Sequence, residues 1–199
     1  MRQFFQGGMK MKKRARRLKA IALAAVLCLS IGTTTLSASA AMSTKTFKKK
    51  LTTTVTKQTK KAKTKKAKLK ALFTYVKKNY DYGRVVGFKA TKTWPLKYAK
   101  EMLTKKQGSC YHYAALYAYL AKKATGYPTR VCVGTTNGFN KSRWQPHAWC
   151  EVKIGKTWYI CDPNMDKYAA KSSGKYYLKN RSKLIRKTYK VQKMTTIKL

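Results

Sequence analysis

The chain has 199 residues, and its 47 Lys and Arg against 5 Asp and Glu give a formal net charge of +42 at pH 7. This length suits a single domain with a hydrophobic core and a tail, so no second domain is needed to account for it. So large a net positive charge favours binding to a polyanion. Any single lysine is nevertheless expected to be an ordinary solvent-exposed surface residue.

Residues 1–40 have the order of an export signal peptide. A basic stretch from Lys10 to Lys19 precedes an apolar run from Ala20 to Ile31, and the small residues Ala38-Ser39-Ala40 follow. The apolar run is shorter than the ~20 residues that a bilayer span needs, so export is favoured over a stable transmembrane anchor. We expect a protein that is secreted or associated with the cell envelope, where anionic cell-wall polymers are the polyanions within reach.

Residues 41–68 are rich in Lys and Thr, with few apolar residues and no acid. A segment of this composition is not expected to bury a core, so we interpret it as a basic tether that is disordered or loosely helical. It has two possible roles, an electrostatic anchor on the envelope or a soluble spacer. Because 8 of the 47 cations precede residue 41, the remaining 39 cations and 5 acids leave a net charge of +34 after signal removal.

The folded domain is predicted to span residues 69–199. An apolar helical face marks its start, formed by Leu69, Leu72, Phe73, Val76 and Tyr80. A turn-rich stretch follows, and then a short helix at residues 98–103 with its entry at Trp94-Pro95. The strongest helix is YHYAALYAYLAKKATG, which ends at Gly126 and has Cys110 in its first turn.

Three β-branched runs follow this helix, at residues 130–133, 147–154 and 157–161, and the last two are joined by Gly155-Lys156. The later segment KYYLKNRSKLIRKTYKV predicts one more edge strand and a helical turn. One long helix followed by an antiparallel sheet predicts an α+β domain.

The predicted hairpin fixes which side chains share a face. If Gly155-Lys156 is a two-residue turn, Ile154 pairs with Thr157, and His147 and Asp162 become diagonal neighbours within hydrogen-bonding reach. On the opposite face Cys150 lies directly across from Cys161. These two cysteines form either a disulfide or a pair of buried thiols.

Cys110, His147 and Asp162 can fill the three roles of a thiol-nucleophile site. Unpaired N–H groups and the positive dipole end at a helix start favour the thiolate, which is the nucleophile. An imidazole beside the sulfur stores and returns the proton, and a carboxylate fixes the tautomer and orientation of the imidazole. Taken singly, each of these residues has a common structural role, and only their joint placement points to catalysis.

The segments GSCYHYAALYAYLAKKATGYPTRVCVG and HAWCEVKIGKTWYICDPNMD resemble the core of the transglutaminase-like superfamily. The shared blocks are Gly-x-Cys before a helix, Gly-(hydrophobic)-Pro-x-Arg-Val, His-Ala-Trp-x-Glu and Trp-Tyr-x-x-Asp-Pro, spread over residues 69–180. The resemblance implies a papain-like α+β fold with Cys110 as nucleophile, His147 as base and Asp162 as orienting acid. Asn164 departs from the pattern, since Thr or a small residue often follows the Asp-Pro step.

Three side chains are candidates for a second oxyanion donor beside the backbone N–H of Cys110: Gln107, Tyr111 and Trp144. His112 is interpreted as a first-turn helix residue near the rim of the cleft. A zinc site that combines His112 with the cysteines is disfavoured, because no Cys-x-x-Cys spacing occurs. No metal or other cofactor is expected.

Chemistry of this type acts on amide and acyl groups through a thioester, so a peptide or protein substrate and a peptidase or acyl-transferase activity are expected. The alternative is a catalytically inactive envelope-binding module that uses its basic surface. Specific nucleic-acid binding is the weakest alternative, because the 14 tyrosines fall mostly at core spacings.

Overall fold

The structure is a computed structural model that describes residues 41–169 and 173–199. The predicted export signal at residues 1–40 lies outside these ranges. Within them, no helix combines the length and the apolar character that crossing a membrane requires.

The described residues form six helices and seven strands. The helices are α1 (Thr44–Thr59), α2 (Lys65–Asn79), α3 (Trp94–Lys105), α4 (Cys110–Thr125), α5 (Pro163–Tyr168) and α6 (Arg181–Leu184). The strands are β1 (Asp81–Tyr82), β2 (Gln107–Gly108), β3 (Thr129–Thr136), β4 (Gln145–Ile154), β5 (Thr157–Cys161), β6 (Lys179–Asn180) and β7 (Tyr189–Thr196).

Five strands form one antiparallel sheet in the order β6-β5-β4-β3-β7, and β1 pairs with β2 in parallel. Helix α4 packs on this sheet through β3 and β4 and also contacts α1, α2 and α3. Because it has neighbours on so many sides, residues 112–121 of α4 are all buried. The predicted α+β architecture of one long helix against an antiparallel sheet is confirmed.

The hairpin of β4 and β5 has the predicted register, with Ile154 opposite Thr157 and Cys150 opposite Cys161. Gly155 in its turn has φ +60°, in the left-handed region that glycine adopts without a steric penalty. Both cysteines are buried and free, so the structure contains two thiols here and no disulfide.

The interpretation of residues 41–68 as a tether that buries nothing is wrong for α1. The side chains of Phe47 and Leu51 are each only 1% exposed, and the Phe47 ring meets the Tyr119 ring of α4 edge to face at 5.2 Å. The apolar residues Phe47, Leu51 and Val55 are spaced by four and therefore share one helix face. The average composition of the segment hides this face, which docks α1 on the core.

Regular structure also occurs near both ends of the predicted domain, residues 69–199. Helix α2 begins at Lys65, earlier than predicted, because Thr64 caps it by accepting the backbone N–H of Ala67 at 3.1 Å. At the other end, the predicted helical turn is α6, but two edge strands, β6 and β7, occur where one was predicted. Strand β7 pairs with β3 and therefore returns the end of the chain to the same sheet that carries His147.

Candidate active site

A cavity of about 570 Å³ opens where the start of α4 faces the sheet. Aromatic and polar side chains form most of its wall, and no acid is among them. Its lining consists of Tyr82, Arg84, Cys110, Phe139, Gln145, Pro146, His147, Asn164 and Tyr168. Two of the three predicted catalytic residues, Cys110 and His147, therefore face the same space.

Cys110 is the first residue of α4, and its side chain is 7% exposed. The backbone before it is held by His112, whose Nδ1 accepts the N–H of Ser109 at 3.1 Å. The His112 ring packs so closely on Gly108 that any Cβ added there would clash with it. This contact explains the glycine two residues before the cysteine, since only glycine leaves room for the ring that fixes the helix start.

His112 is buried behind the helix start and does not line the cavity, so its predicted place at the cleft rim is corrected. Its Nε2 lies 3.2 Å from Oε2 of Glu101. Burial, the largest influence, lowers the pKa of His112, and nearby lysines add to this effect against the opposing influence of Glu101. The neutral ring can therefore accept at Nδ1 while it donates from Nε2 to Glu101.

His147 and Asp162 meet as the hairpin register predicts. Nε2 of His147 lies 2.6 Å from Oδ2 of Asp162, and both side chains are 1% exposed. The register of β4 and β5 brings the two residues together, and Asp162 follows the last residue of β5. Phe139 covers the imidazole edge to face at 5.4 Å. The carboxylate therefore sets the orientation of a ring that has little room to turn.

The pKa of His147 is raised to about 10. Burial, the largest influence, acts to lower the pKa, but the charge and hydrogen bond of Asp162 together with the neighbouring Cys110 outweigh it. The imidazolium is therefore the favoured form at neutral pH. Since Nε2 is committed to Asp162, Nδ1 is the ring nitrogen left for the thiol of Cys110.

Two groups hold the carboxylate of Asp162 besides the imidazole of His147. Oδ2 accepts a hydrogen bond from the Tyr189 hydroxyl at 3.0 Å, and Oδ1 accepts the backbone N–H of Met165 at 2.9 Å. The second contact also caps α5. Tyr189 was missed at the sequence level, because nothing distinguishes it from the other tyrosines until β7 pairs with β3.

The glutamate of the His-Ala-Trp-x-Glu block has a structural role. Glu151 is fully buried and bonded by Arg130 at 2.6 Å and Arg181 at 3.1 Å, and it accepts the indole N–H of Trp149 at 3.1 Å. Removing one member of such a buried pair leaves an uncompensated charge, which is strongly destabilising. This cluster joins β3, β4 and α6 beside the strand that carries His147.

The three predicted oxyanion donors do not line the cavity. Nε2 of Gln107 donates to the carbonyl oxygen of Tyr82 at 3.2 Å. The ring of Tyr111 stacks on Phe88 with centroids 3.6 Å apart, and Trp144 lies under the ammonium of Lys190 at 4.2 Å. None of the three therefore belongs to the lining that contains Cys110 and His147.

Tyr82 and Tyr168, which were not singled out in the sequence, form an exposed aromatic wall of the cavity. The backbone N–H of Tyr82 donates to the Tyr168 hydroxyl at 2.9 Å, and the two rings meet edge to face at 5.9 Å. Arg84 follows two residues later on the same rim. The short parallel pairing of β1 with β2 helps to place Tyr82 at the site, and such a pairing has no local sequence signal.

The remaining described cysteines are buried thiols away from the cavity lining. Burial raises the pKa of Cys161 to about 12 and raises the pKa values of Cys132 and Cys150 well above the usual range. In the described part of the chain, no group of three or more His, Cys, Asp or Glu side chains is arranged to hold a metal ion.

All five acids of the chain have a basic partner within the molecule. Each carboxylate lies within 4 Å of a lysine, arginine or histidine nitrogen: Asp81 with Lys167, Glu101 with Lys105, Glu151 with Arg130, Asp162 with His147, and Asp166 with Lys77. The surface is therefore left with the remaining cations and with no unpaired acid to offset them.

Two solved structures are similar to the chain at low identity. One, a presumed cysteine protease from Cytophaga hutchinsonii, is 19% identical over 75% of this chain and 50% of its own length, with a TM-score of 0.45. The other, a TGase, is 19% identical over 64% of this chain and 35% of its own length, also with a TM-score of 0.45. The chain thus spans half or less of the length of these proteins, and no curated protein matches it.

The family model of the transglutaminase-like superfamily matches residues 52–163, which is more than half of the chain. The matched region contains Cys110, His147 and Asp162, and it begins inside α1. It therefore includes the second half of the helix that had been interpreted as part of a tether. The chain belongs to the transglutaminase-like superfamily.

Proposed function

We propose that this protein is a cysteine enzyme that cleaves or transfers amide acyl groups of peptides or proteins, with Cys110 as nucleophile, His147 as general base and acid, and Asp162 as the orienting acid. The observation that carries the proposal is the position of the His147 imidazole between two groups. Its Nε2 lies 2.6 Å from Asp162, and the ring lines the same cavity as Cys110. Membership of a superfamily of cysteine enzymes supports it.

The chemistry follows from this arrangement. The thiolate of Cys110 adds to the amide carbonyl, and the tetrahedral intermediate then expels the amine, which takes its proton from the His147 imidazolium. The resulting thioester is attacked by water or by a second amine, while His147 accepts the proton of that nucleophile. The thiol is thereby released with a carboxylic acid or a new amide as product. Asp162 keeps the ring oriented through both steps.

The charge of the cavity favours acidic substrates. Arg84 is a permanent cation on its rim, and no acid lines it. Long-range attraction to the basic surface raises the local concentration of polyanionic material, an effect that weakens with added salt. The proposal includes export through the leader at residues 1–40 and retention near anionic wall polymers, so wall peptides and envelope proteins are the substrates within reach.

A thiol-directed probe tests the reactive cysteine. Incubation of the full chain with iodoacetamide near neutral pH, followed by peptide mapping, should place the label at Cys110. The buried Cys132, Cys150 and Cys161 are internal controls, since they should react only after denaturation. The variant Cys110→Ser should lose the label. Failure of Cys110 to react in the folded protein would contradict the proposal.

The reaction type is then separated with peptide and glutamine-donor panels, each with and without an added primary amine. Release of a carboxylic acid product identifies hydrolysis, whereas incorporation of the amine identifies transfer. Cys110→Ser and His147→Ala should abolish either outcome.

A second candidate function is an inactive module that binds envelope polyanions. It is favoured by a groove of about 660 Å³ between α1 and α3, whose lining includes Lys49, Lys50 and Lys106 and no acid. If binding to an anionic wall polymer is the function, Lys49→Gln with Lys50→Gln should weaken binding and flatten its salt dependence. Cys110→Ser should leave binding unchanged, and the wild-type protein should turn over no member of the panels.

A further inference from the structure

Asn164 is a buried polar side chain in the lining of the cavity, and it has no hydrogen-bond partner in the described part of the chain. It is 1% exposed, and it lines the space that Cys110 and His147 face. Neither its Nδ2 nor its Oδ1 has a hydrogen-bond partner among residues 41–169 and 173–199. Buried polar groups in native proteins are nearly always paired, because leaving them unpaired costs free energy. An unpaired carboxamide at this position therefore points to a group that arrives from outside the chain.

The backbone around Asn164 is fixed relative to the reacting groups. It follows Asp162 and Pro163 at the start of α5, and the next residue, Met165, donates its N–H to Oδ1 of Asp162 at 2.9 Å. Met165 is itself fully buried and packs tightly on Gly138. The carboxylate that orients His147 thus also fixes the residue that follows Asn164.

A carboxamide offers one donor and one acceptor on the same edge. A residue of an extended peptide presents its own N–H and C=O on one side, which is how opposite residues of an antiparallel pair exchange two hydrogen bonds. The edge of Asn164 is complementary to that pattern. A small amine or an isolated acyl group would leave one of its two atoms unpaired.

We propose that Asn164 binds the main chain of an extended peptide beside the scissile bond, with Nδ2 donating to a peptide carbonyl and Oδ1 accepting the N–H of the same peptide residue. This proposal rests on the function proposed above and narrows its substrate class to extended peptide segments. Asn164 is thereby a substrate-binding residue, and the unpaired state of its carboxamide is resolved when the peptide enters.

The test compares two electrophiles that react with the same sulfur. Iodoacetamide reports the reactivity of Cys110 alone, whereas a peptidyl electrophile also reports the binding of a main chain next to it. In the wild-type full chain, the peptidyl probe should modify Cys110 faster than iodoacetamide does. Asn164→Leu, which is close in size, should slow the peptidyl reaction by about tenfold and leave the iodoacetamide rate unchanged.

A backbone change in the probe locates the contact. N-methylation of the peptide residue that faces Asn164 should slow labelling of the wild type by about tenfold and have little further effect on Asn164→Leu. The thermal midpoint of Asn164→Leu should equal or exceed that of the wild type, because an apolar residue replaces an unpaired polar one. Asn137, whose Oδ1 is also buried and unpaired but does not line the cavity, gives the matched control Asn137→Leu, with both labelling rates unchanged.

The outcomes separate the peptide-binding role of Asn164 from the proposed function of the protein as a cysteine enzyme. If iodoacetamide does not modify Cys110, the thiol chemistry itself is wrong. The peptide-binding role of Asn164 is overturned if iodoacetamide reacts but the peptidyl probe labels Cys110 no faster than iodoacetamide does. It is also overturned if the peptidyl probe is faster by the same factor in Asn164→Leu as in the wild type. A lowered thermal midpoint with equal losses on both probes would assign Asn164 to the fold instead.

Discussion

The hydroxyl of Tyr189 donates a hydrogen bond of 3.0 Å to Oδ2 of Asp162, the same oxygen that lies 2.6 Å from Nε2 of His147. Burial, followed by the charge of Asp162, raises the pKa of Tyr189 well above its usual value, so the phenol stays protonated and continues to donate. The edge strand β7 therefore supplies a side chain, Tyr189, that holds the carboxylate that orients the imidazole.

The variant Tyr189→Phe tests this relationship. It removes one donor to a buried carboxylate, so we expect kcat to fall about tenfold with little change in KM. Steady-state kinetics on the best substrate of the peptide panel gives both values. Tyr159→Phe on strand β5 of the same sheet is the control, since Tyr159 donates no hydrogen bond to Asp162, and it should leave kcat unchanged. Equal losses in the two variants would remove Tyr189 from the site.

The two histidines should titrate on opposite sides of the usual value. The pKa of His147 is raised to about 10, and that of His112 is lowered. Because the chain has 2 histidines, their ring signals can be assigned by NMR with single His→Gln variants. Asp162→Asn should bring the midpoint of His147 down below the usual value, since burial then dominates. A His147 midpoint near 6.5 in the wild type would refute the ion-pair arrangement.

The same shift predicts how stability depends on pH. The folded pKa of His147 lies above the unfolded value of 6.5, so folding takes up protons at intermediate pH. Its contribution to stability is therefore fully present below about pH 6.5 and is lost as the pH rises through about 10. The difference in unfolding free energy between wild type and His147→Gln should shrink along that range. Urea titrations at several pH values measure it, and a difference that grows toward pH 10 would contradict the assignment.

Helix α1 should contribute to folding as well as to charge. Phe47→Ala or Leu51→Ala should destabilise the domain by about 2–5 kcal/mol, the usual cost of truncating a buried large side chain. Thr56→Ala on the exposed face of α1 is the control and should stay within about 0.5 kcal/mol of the wild type. Urea unfolding gives all three values. If the core variants matched the control, α1 would be a dispensable appendage.

Gly108 and His112 should behave as a coupled pair. Gly108→Ala places a methyl group against the His112 ring, so we expect a loss of about 1–3 kcal/mol in stability together with slower labelling of Cys110. His112→Ala removes the obstacle, and the double variant should therefore lose less than the sum of the two single variants. Additive losses across this cycle would show that the glycine is needed for another reason.

The parts of the site that the sequence predicts are those set by local geometry. A two-residue turn fixes the register of its hairpin, so the contact between His147 and Asp162 follows from residues 147–162 alone. The bounds of α4 are also set locally, because its apolar periodicity and the Gly126 that ends it lie within one short segment. The roles of Cys110, His147 and Asp162 in catalysis stay predictions until they are measured.

The parts that were missed depend on distant contacts. Tyr189 reaches Asp162 because β7 pairs with β3, and Tyr82 is placed at the cavity by the pairing of β1 with β2 and by its bond to Tyr168. The segment that contains α1 was misjudged for a different reason. Three apolar residues spaced by four are enough for one helix face, although they barely change the composition of a lysine-rich stretch.

The internal pairing of all five acids has a consequence for encounters between copies of the protein. A second molecule finds no unpaired carboxylate to approach, only cations that repel its own. At low ionic strength such copies should keep apart. If the proposed activity includes transfer to amines, this repulsion keeps the lysines of one copy away from the cavity of another.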